Sequence, residues 1–485
     1  MPPAPEVSVV GSGPNGLAAA VTLARAGLTV EVHEAADTPG GGLRTTSLFD
    51  SHALHDVCSA VHPMAAASRF FREFDLTARG VRLRTPETSY AHPLDNAPTA
   101  LAHRDLDRTC DRLGPDAARW RSLLSPLVRH SQDLCDLFLS DQRHLPATPR
   151  AALPLPSRIL THGTGLGRHA FHGPAAPALL TGVAAHTGGR LPSLTGAAVA
   201  LLLGHLAHTT GWPLVEGGSA RITDALLADL QAHNGTLHTG SRVTDLRQLA
   251  RSRAVLLDLA PAGVLGIAGP LLPAGYRRAL ERFRYGTAAA KVDFLVSDPI
   301  PWTDPDTHGA GTVHLGGGDH EIRSTETATA RGHRVARPFT LLSEPMSTDP
   351  TRGRPDRRPV WAYCHVPHGD TSDPVDRVRR QIERFAPGFS DTVIAARGVP
   401  AAALAAYNPN YVGGDIAAGA MTPWQAIARP APRWDPYRTP LSGVYLCSSA
   451  TPPGPGVHGM CGYHAASRVL RHEFGIVEPP ALGPS

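Results

Sequence analysis

The stretch VSVVGSGPNGLAAAVTLARAGLTVEVHEA, residues 7–35, decides the fold of this chain. Residues 7–10 form a short apolar run, which is typical of a strand buried on both faces. A helix-compatible segment covers residues 17–26, and Gly27 is a residue that commonly ends a helix. Between strand and helix lies the pattern G-x-G-x-x-G, formed by Gly11, Gly13 and Gly16.

A second apolar strand over residues 28–33 ends at the acidic Glu34. The first glycine of the pattern permits a tight turn, the second lets a pyrophosphate approach the backbone, and the third lets helix and strand pack closely. The helix N-terminus faces the phosphates, and the acid binds a ribose diol. This order of features predicts a βαβ unit that binds a dinucleotide. The candidate binding residues are Gly11, Ser12, Gly13, Pro14, Asn15, Gly16, Glu34 and Ala35.

The next segment, AADTPGGGLRTTSL at residues 35–48, resembles a group of FAD-dependent oxidoreductases that includes flavin amine oxidases and bacterial phytoene desaturases. Those proteins carry a second glycine pair after the acid, followed by a basic residue and Thr or Ser. The resemblance implies a loop along the FAD pyrophosphate and ribityl chain. The matching residues here are Gly41, Gly42, Leu43 and Arg44.

Two later segments extend the resemblance over nearly the whole chain. Residues 217–246 have apolar residues at helical spacing and then a strand pair leading to Val243, which the resemblance puts near the adenine. Residues 443–474, GVYLCSSATPPGPGVHGMCGYHAASRVLRHEF, are similar to the closing FAD motif. There the resemblance implies contacts from Ser449, Gly456 and Val457. Amine oxidases usually have an acid after this strand, and the serines found here favour the phytoene-desaturase-like branch.

The fold class predicted is α/β, with a doubly wound, Rossmann-like, three-layer FAD-binding domain and an inserted α+β substrate-binding domain. The FAD-binding domain is expected to be discontinuous, over residues 1–85, 215–290 and 435–475. Residues 86–214 and 291–434 are expected to form the substrate-binding domain, with residues 476–485 as a C-terminal tail.

Lys291 is the only lysine of the chain, so the 46 Lys+Arg residues include 45 arginines. The composition is typical of a GC-rich bacterial genome, which explains the general loss of lysine. Lys291 lies in GTAAAKVDFLVSDPIPW, residues 286–302, which resembles the amine-oxidase strand whose lysine holds a water against flavin N5. A lysine can lose its proton when desolvated, whereas an arginine cannot. The alternatives are a protective charge on an edge strand or a partner of Asp293.

Two histidines are further catalytic candidates. His62 follows the segment that the resemblance carries past the isoalloxazine ring, and His458 lies within the closing motif. The alternative for both is a structural role. No cysteine occupies residues 400–440, where amine oxidases attach their flavin, so the FAD is expected to be noncovalent.

Composition excludes some classes of function. The net charge is +4 with 18% charged residues and no dense basic cluster, which argues against nucleic acid as a partner. The six cysteines are scattered without zinc-ligand spacing, so no metal site is predicted. The longest apolar run, residues 196–207, is shorter than the roughly 20 residues that cross a bilayer. We expect a cytoplasmic protein, and a peripheral membrane contact stays open.

The predicted function is that of an FAD-dependent oxidoreductase, a dehydrogenase, desaturase or oxidase. It would move a hydride from a substrate C–H to flavin N5 and form a C=C or C=N bond in a small or lipophilic metabolite. No second nucleotide fingerprint is present, which favours O₂, a quinone or a carrier protein as electron acceptor. The alternatives are a flavin-dependent isomerase and a noncatalytic FAD-binding protein. The substrate and the oligomeric state stay open.

Overall fold

The computed structural model describes residues 5–141 and 149–484, which form sixteen strands and nineteen α-helices. The strands are β1 (Val7–Val10), β2 (Val30–His33), β3 (Thr45–Ser47), β4 (Leu54–Asp56), β5 (Leu83–Arg84), β6 (Thr88–Leu94), β7 (Ala97–His103), β8 (Leu214–Val215), β9 (Thr236–His238), β10 (Ala254–Leu257), β11 (Ala288–Val296), β12 (Ala310–Leu315), β13 (Thr340–Ser343), β14 (Arg358–Val366), β15 (Val393–Val399) and β16 (Val444–Leu446). The helices are α1 (Pro14–Arg25), α2 (Pro63–Ala67), α3 (Arg69–Phe74), α4 (Leu106–Arg112), α5 (Ala117–Arg129), α6 (Ser131–Phe138), α7 (Pro149–Ala152), α8 (Leu155–Gly163), α9 (Ala175–Ala184), α10 (Leu194–Ala207), α11 (Ala220–Ala232), α12 (Pro261–Ala268), α13 (Ala274–Glu281), α14 (Asp319–Ala330), α15 (Val375–Glu383), α16 (Phe389–Thr392), α17 (Leu404–Tyr407), α18 (Pro423–Ile427) and α19 (Met460–Phe474).

The first sheet is parallel and has the strand order β16-β10-β1-β2-β9. Its faces are covered by helices on both sides, which gives the three predicted layers. Val7 and Val9 of β1 face a core shared with α1, α11 and α19. Val10 faces the opposite core, which α12 and α13 cover. All five strands come from the segments predicted for the dinucleotide-binding domain.

The predicted N-terminal elements form with small shifts at their ends. The strand over residues 7–10 is β1, as predicted. Helix α1 begins at Pro14, three residues before the predicted start, because proline suits the first turn of a helix. After residues 236–238 the chain continues as a loop, so Val243 does not follow a second strand.

The second sheet is mixed and has the order β15-β11-β14-β13-β12-β6-β7. One face packs on α15 and α16 through an apolar core that includes Val292 and Phe294 of β11. The other face packs against α9 and α10, whose core includes Tyr90 and Trp361 of the sheet. Alternate residues of β11 therefore face the two cores, and all nine of its residues are buried.

Residues 481–483 pack against the core that covers the first sheet. Leu482 is buried in the core beneath α1, and Arg25 donates hydrogen bonds to the carbonyl groups of Ala481 and Gly483. In the part of the chain that the structure describes, no helix is long and apolar enough to cross a membrane.

Candidate functional site

The carboxyl ends of β1 and β10 form a cradle at the point where the strand order reverses. Gly11 follows β1, and Asp258 follows β10. Ligands of open α/β sheets bind at such a switch point. The N–H of Gly16 in the first turn of α1 donates to Asp258 Oδ2 over 3.1 Å, whereas Gly13, which precedes the helix, has no side chain to cap it. The cradle therefore combines a helix N-terminus with a buried carboxyl.

The glycines of this cradle leave space that side chains would fill. A Cβ on Gly13 would lie 2.6 Å from Asp258 Oδ2, and a Cβ on Gly16 would collide with the carbonyl oxygen of Gly11. Across the cradle, a Cβ on Gly41 would lie 3.0 Å from Cα of Gly13. The two glycine-rich segments thus approach each other backbone to backbone.

Burial raises the pKa of Asp258 to about 7, and the charge of Glu34 adds to this effect. The folded protein therefore keeps a proton on Asp258 at pH values where the unfolded chain, with an ordinary value of 3.8, has lost it. The unfolded chain binds fewer protons in this window, so the Asp258 contribution makes stability fall as pH rises from about 4 to about 7.

We predict that Asp258→Asn flattens this decline in protein stripped of nucleotide. From pH 5 to pH 8, the free energy of unfolding of the variant is expected to rise by about 1–3 kcal/mol relative to that of the unsubstituted protein. Urea unfolding at the two pH values measures the gain. Asp224→Asn, at an exposed surface position, is the control. An unchanged slope in Asp258→Asn would contradict a raised pKa.

Glu34 directly follows β2, and its carboxylate is held by four groups, namely the N–H and the hydroxyl of Ser12, the N–H of Ala36 and the guanidinium of Arg44. Its carboxylate accepts from the N–H groups of Ser12, over 3.1 Å, and Ala36, over 2.9 Å. Arg44 lies 3.4 Å from Glu34 Oε1, and its guanidinium stacks over the ring of Tyr407 at 5.1 Å. The acid is thus fixed in place at the edge of the cradle.

One cavity of about 1070 Å³ joins the cradle to the face of the second sheet. Its first part is lined by the glycine-rich segments. Its second part is lined mainly by apolar and aromatic side chains from the end of α6, from α10, from the segment before β8 and from the second sheet, among them Leu139, Val199, Leu202, Leu203, Trp212, Leu341 and Trp361. Cofactor sites commonly have this concave, largely apolar character.

Most of the residues predicted from the sequence line this cavity. They are Gly11, Ser12, Gly13, Pro14, Asn15, Glu34, Ala35, Gly41, Gly42, Arg44, His62, Val243, Ser449, Gly456 and Val457. Asn15 also donates to the hydroxyl of Ser449 over 3.3 Å, which connects the first motif to the closing motif. Four of the predicted residues lie behind the cavity wall, namely Gly16, Leu43, Lys291 and His458.

His62 lies on the wall with its Nε2 2.8 Å from the hydroxyl of Ser219. That hydroxyl donates to the carbonyl of Ser59, so His62 must donate through Nε2. Its Nδ1 keeps a lone pair and has no hydrogen-bonding partner among the described residues. Burial lowers the pKa of His62 to about 4, so the ring is neutral at neutral pH.

His458 has no ring nitrogen left for substrate chemistry in this structure. Its Nε2 donates to the carbonyl of Gly454 over 3.0 Å, and its Nδ1 accepts from the N–H of Met460 over 3.0 Å. Burial lowers its pKa to about 4. In this arrangement the neutral ring links the closing loop to the start of α19, which agrees with the structural alternative for His458.

Lys291 lies in β11, which pairs with β14 on one side and β15 on the other, so the edge-strand alternative is excluded. Its ammonium forms a buried ion pair with Asp293 and lies 5.4 Å from the centre of the Trp361 ring. His55 Nδ1 is 3.3 Å from the same carboxylate. Burial lowers the pKa of Lys291, and the charge of Asp293 opposes this effect. Lys291 thus lies directly behind Trp361, which lines the cavity.

Several wall residues were not singled out from the sequence. Tyr407 and Tyr411 stack at 6.4 Å, and the Tyr407 hydroxyl donates to the carbonyl of Gly41 over 2.6 Å. Cys58 lies on the same wall, and burial raises the pKa of its thiol. Arg429 is a buried cation whose Nε has no hydrogen-bonding partner among the described residues. The two tyrosines end the motif YNPNY, which could have indicated them.

Comparison with known proteins agrees with this architecture. A family model described as an NAD(P)-binding Rossmann-like domain matches residues 9–74. Cyclohexylamine oxidase from Brevibacterium oxydans IH-35A has a similar structure, with a TM-score of 0.58 and 15% identity over 96% of this chain and 99% of that one. The chain therefore has the same fold as this oxidase. The predicted fold class is thereby confirmed.

Two relatives are similar in sequence. The pyridine nucleotide-disulfide oxidoreductase domain-containing protein 2 of Rattus norvegicus is 24% identical over 96% of this chain and 93% of its own length. Hydroxysqualene dehydroxylase of Rhodopseudomonas palustris is 60% identical over a segment of 45 residues, which is 9% of this chain and 10% of that protein. These similarities support the predicted oxidoreductase class and the resemblance to amine-oxidase-like and phytoene-desaturase-like flavoproteins.

Proposed function

We propose that the protein is an FAD-dependent dehydrogenase or oxidase that introduces a double bond into a largely apolar substrate. The observation that carries this proposal is the single cavity, which connects a dinucleotide cradle to an apolar chamber. A cofactor and a substrate bound in its two parts would meet inside the protein, away from bulk water.

FAD fits the first part of the cavity. The glycine cradle excludes any Cβ where the backbone of Gly13 and Gly41 converges, and α1 directs its positive end there. Glu34 is positioned for a ribose diol at the end of β2. No cysteine lies in residues 400–440, which supports noncovalent binding. When bound, FAD would supply the two-electron acceptor that the protein side chains lack.

The second part of the cavity favours a lipophilic substrate. Within residues 5–141 and 149–484, the acidic side chains that line the cavity are Glu34 and Asp258, and both belong to the cradle. An ammonium group in the chamber would therefore have no carboxylate partner. This supports oxidation of a C–C bond over oxidation of an amine.

The chain contributes position and charge to this chemistry. The apolar wall orients the substrate and excludes water, which strengthens electrostatic interactions inside the site. His62 contributes a neutral ring to the wall, held in place by the hydrogen bond from its Nε2 to Ser219. Lys291 acts through Trp361 and Asp293 as a positioning residue with a fixed positive charge behind the wall.

An anaerobic reduction experiment tests the proposal. FAD-loaded protein is mixed with linear polyene hydrocarbons, with primary and secondary amines, and with amino-acid derivatives, and the flavin absorbance near 450 nm is followed. We expect bleaching by a polyene and none by the amines. Bleaching by amines alone would contradict this expectation and indicate an amine oxidase.

The remaining outcomes separate the alternative functions. Turnover of a substrate without accumulation of reduced flavin would identify an isomerase. A yellow protein that no substrate reduces and that has no turnover would be an FAD-binding protein without catalysis. The electron acceptor is identified by mixing the reduced protein with O₂ or with a quinone. If neither compound re-oxidises the flavin, a carrier protein is the remaining acceptor.

A further inference from the structure

A carboxyl group lies at the anion-binding end of helix α1. Asp258 lines the cavity, is only 7% exposed, and accepts the N–H of Gly16 at its Oδ2 over 3.1 Å. The backbone of Gly13 is a second hydrogen-bonding neighbour of this carboxyl group. In a dinucleotide fingerprint, the N–H groups at the start of the helix are the groups that attract the phosphates. Asp258 therefore competes with a bound pyrophosphate for the positive end of α1.

The side chains around Asp258 do not neutralise its charge. Among the described residues, no cationic side chain contributes to the pKa of Asp258. The charge of Glu34 raises that pKa, and Arg44 lies 3.4 Å from Glu34. Behind the cradle, burial raises the pKa of the thiols of Cys447 and Cys461, and the negative charge of Asp258 adds to both effects. An ionised Asp258 thus relies on the start of α1 alone for a favourable charge.

A bound dinucleotide would make the ionised form of Asp258 still less favourable. Its pyrophosphate brings further negative charge into the cradle, and a nearby like charge disfavours ionisation of a carboxyl group. A neutral carboxylic acid removes this repulsion. It also keeps an oxygen that can accept the N–H of Gly16, so the start of α1 stays in place.

We propose that Asp258 is a cofactor-binding residue that must be a neutral acid when FAD is bound, so that FAD binding and protonation of Asp258 are coupled. When FAD binds to protein with an ionised Asp258, one proton moves from solvent to the carboxylate, and no covalent bond of FAD changes. The inference rests on the proposed function, because FAD is the dinucleotide concerned. Affinity for FAD is then highest at low pH and falls as the pH rises through the pKa of Asp258 in the empty protein.

The pH dependence of the FAD dissociation constant tests this coupling. FAD-loaded protein is equilibrated at a series of dilutions at pH 5.5 and at pH 8.5, and bound and free flavin are separated by ultrafiltration. Burial raises the pKa of Asp258 to about 7, so the dissociation constant is expected to rise about thirtyfold between the two pH values. At pH 8.5, FAD binding should also take up about one proton, measured by calorimetry in buffers of different ionisation enthalpy.

Asp258→Asn removes the charge and keeps the shape of the side chain. Its amide oxygen can still accept the N–H of Gly16, so the variant should fold. Its dissociation constant should change by less than about twofold between pH 5.5 and pH 8.5, and at pH 8.5 it should bind FAD at least about tenfold more tightly than the unsubstituted protein. Asp224→Asn makes the same chemical change at an exposed position and should keep the full pH dependence.

The outcomes separate failure of this coupling from failure of the proposed function. The proposal is overturned by a dissociation constant that does not depend on pH in the unsubstituted protein. It is also overturned if Asp258→Asn keeps the full pH dependence, since another group would then carry it. In both cases FAD still binds and the proposed function stands. Absence of bound flavin at both pH values would refute the proposed function and this proposal with it.

Discussion

Replacement of Lys291 with methionine is expected to lower the free energy of unfolding by about 3–5 kcal/mol, because it leaves a buried carboxylate without its cation. The ammonium and Asp293 are both nearly inaccessible, at 6% and 4% side-chain exposure. His55 remains as the only other charged or ionisable group in contact with that carboxylate among the described residues. Urea unfolding followed by circular dichroism measures the loss.

The same substitution tests whether the charge also serves catalysis. We expect flavin reduction or re-oxidation to slow by about 10²-fold, the usual scale for loss of a charge-stabilising group. The double variant Lys291→Met with Asp293→Leu is the control, since removal of both charges should restore most of the stability. Slow kinetics in the restored double variant would support a role for the ammonium. Unchanged kinetics there would make Lys291 purely structural, and an unchanged stability in the single variant would contradict the buried ion pair.

The second large effect is expected at Gly13, where valine should abolish FAD binding. A Cβ at this position would lie 2.6 Å from the carboxylate of Asp258, which accepts the N–H of Gly16 at the start of α1. The carboxylate would have to move, and the branched side chain would occupy the cradle. We expect at least a hundredfold loss of FAD affinity, which corresponds to about 2.7 kcal/mol or more.

A matched glycine separates this local effect from a general loss of stability. Gly275 is exposed in α13, and a Cβ there would meet no atom within 4 Å. Gly275→Val should therefore retain its flavin after gel filtration. Full flavin content in Gly13→Val would refute the placement of the cradle.

Local sequence determines the start of the first sheet, and this part was predictable. The strand, the glycines, the helix and the acid of residues 7–34 follow one another directly, so β1, α1 and β2 could be predicted from spacing alone. Asp258 could not be predicted in this way, because it meets Gly16 across 242 residues of sequence. The sequence shows that Asp258 follows an apolar strand, but it does not show that this strand pairs with β1.

The histidines and the lysine illustrate a different limit. The sequence shows that His458 lies within the closing motif, but it could not show that both ring nitrogens form hydrogen bonds with backbone groups. The sequence around Lys291 could not show its contacts, because His55 comes from β4 and Trp361 from the neighbouring strand β14. The roles of His62 and Lys291 therefore remain predictions, and so does the division of the chain into domains.

The stoichiometry of FAD released from the purified protein tests the central claim most directly. The protein is saturated with FAD, separated from free nucleotide by gel filtration and denatured, and the released flavin is measured by absorbance near 450 nm. The cavity and its glycine cradle predict about one FAD per chain, a single dinucleotide site. A colourless protein that releases no flavin would contradict the account.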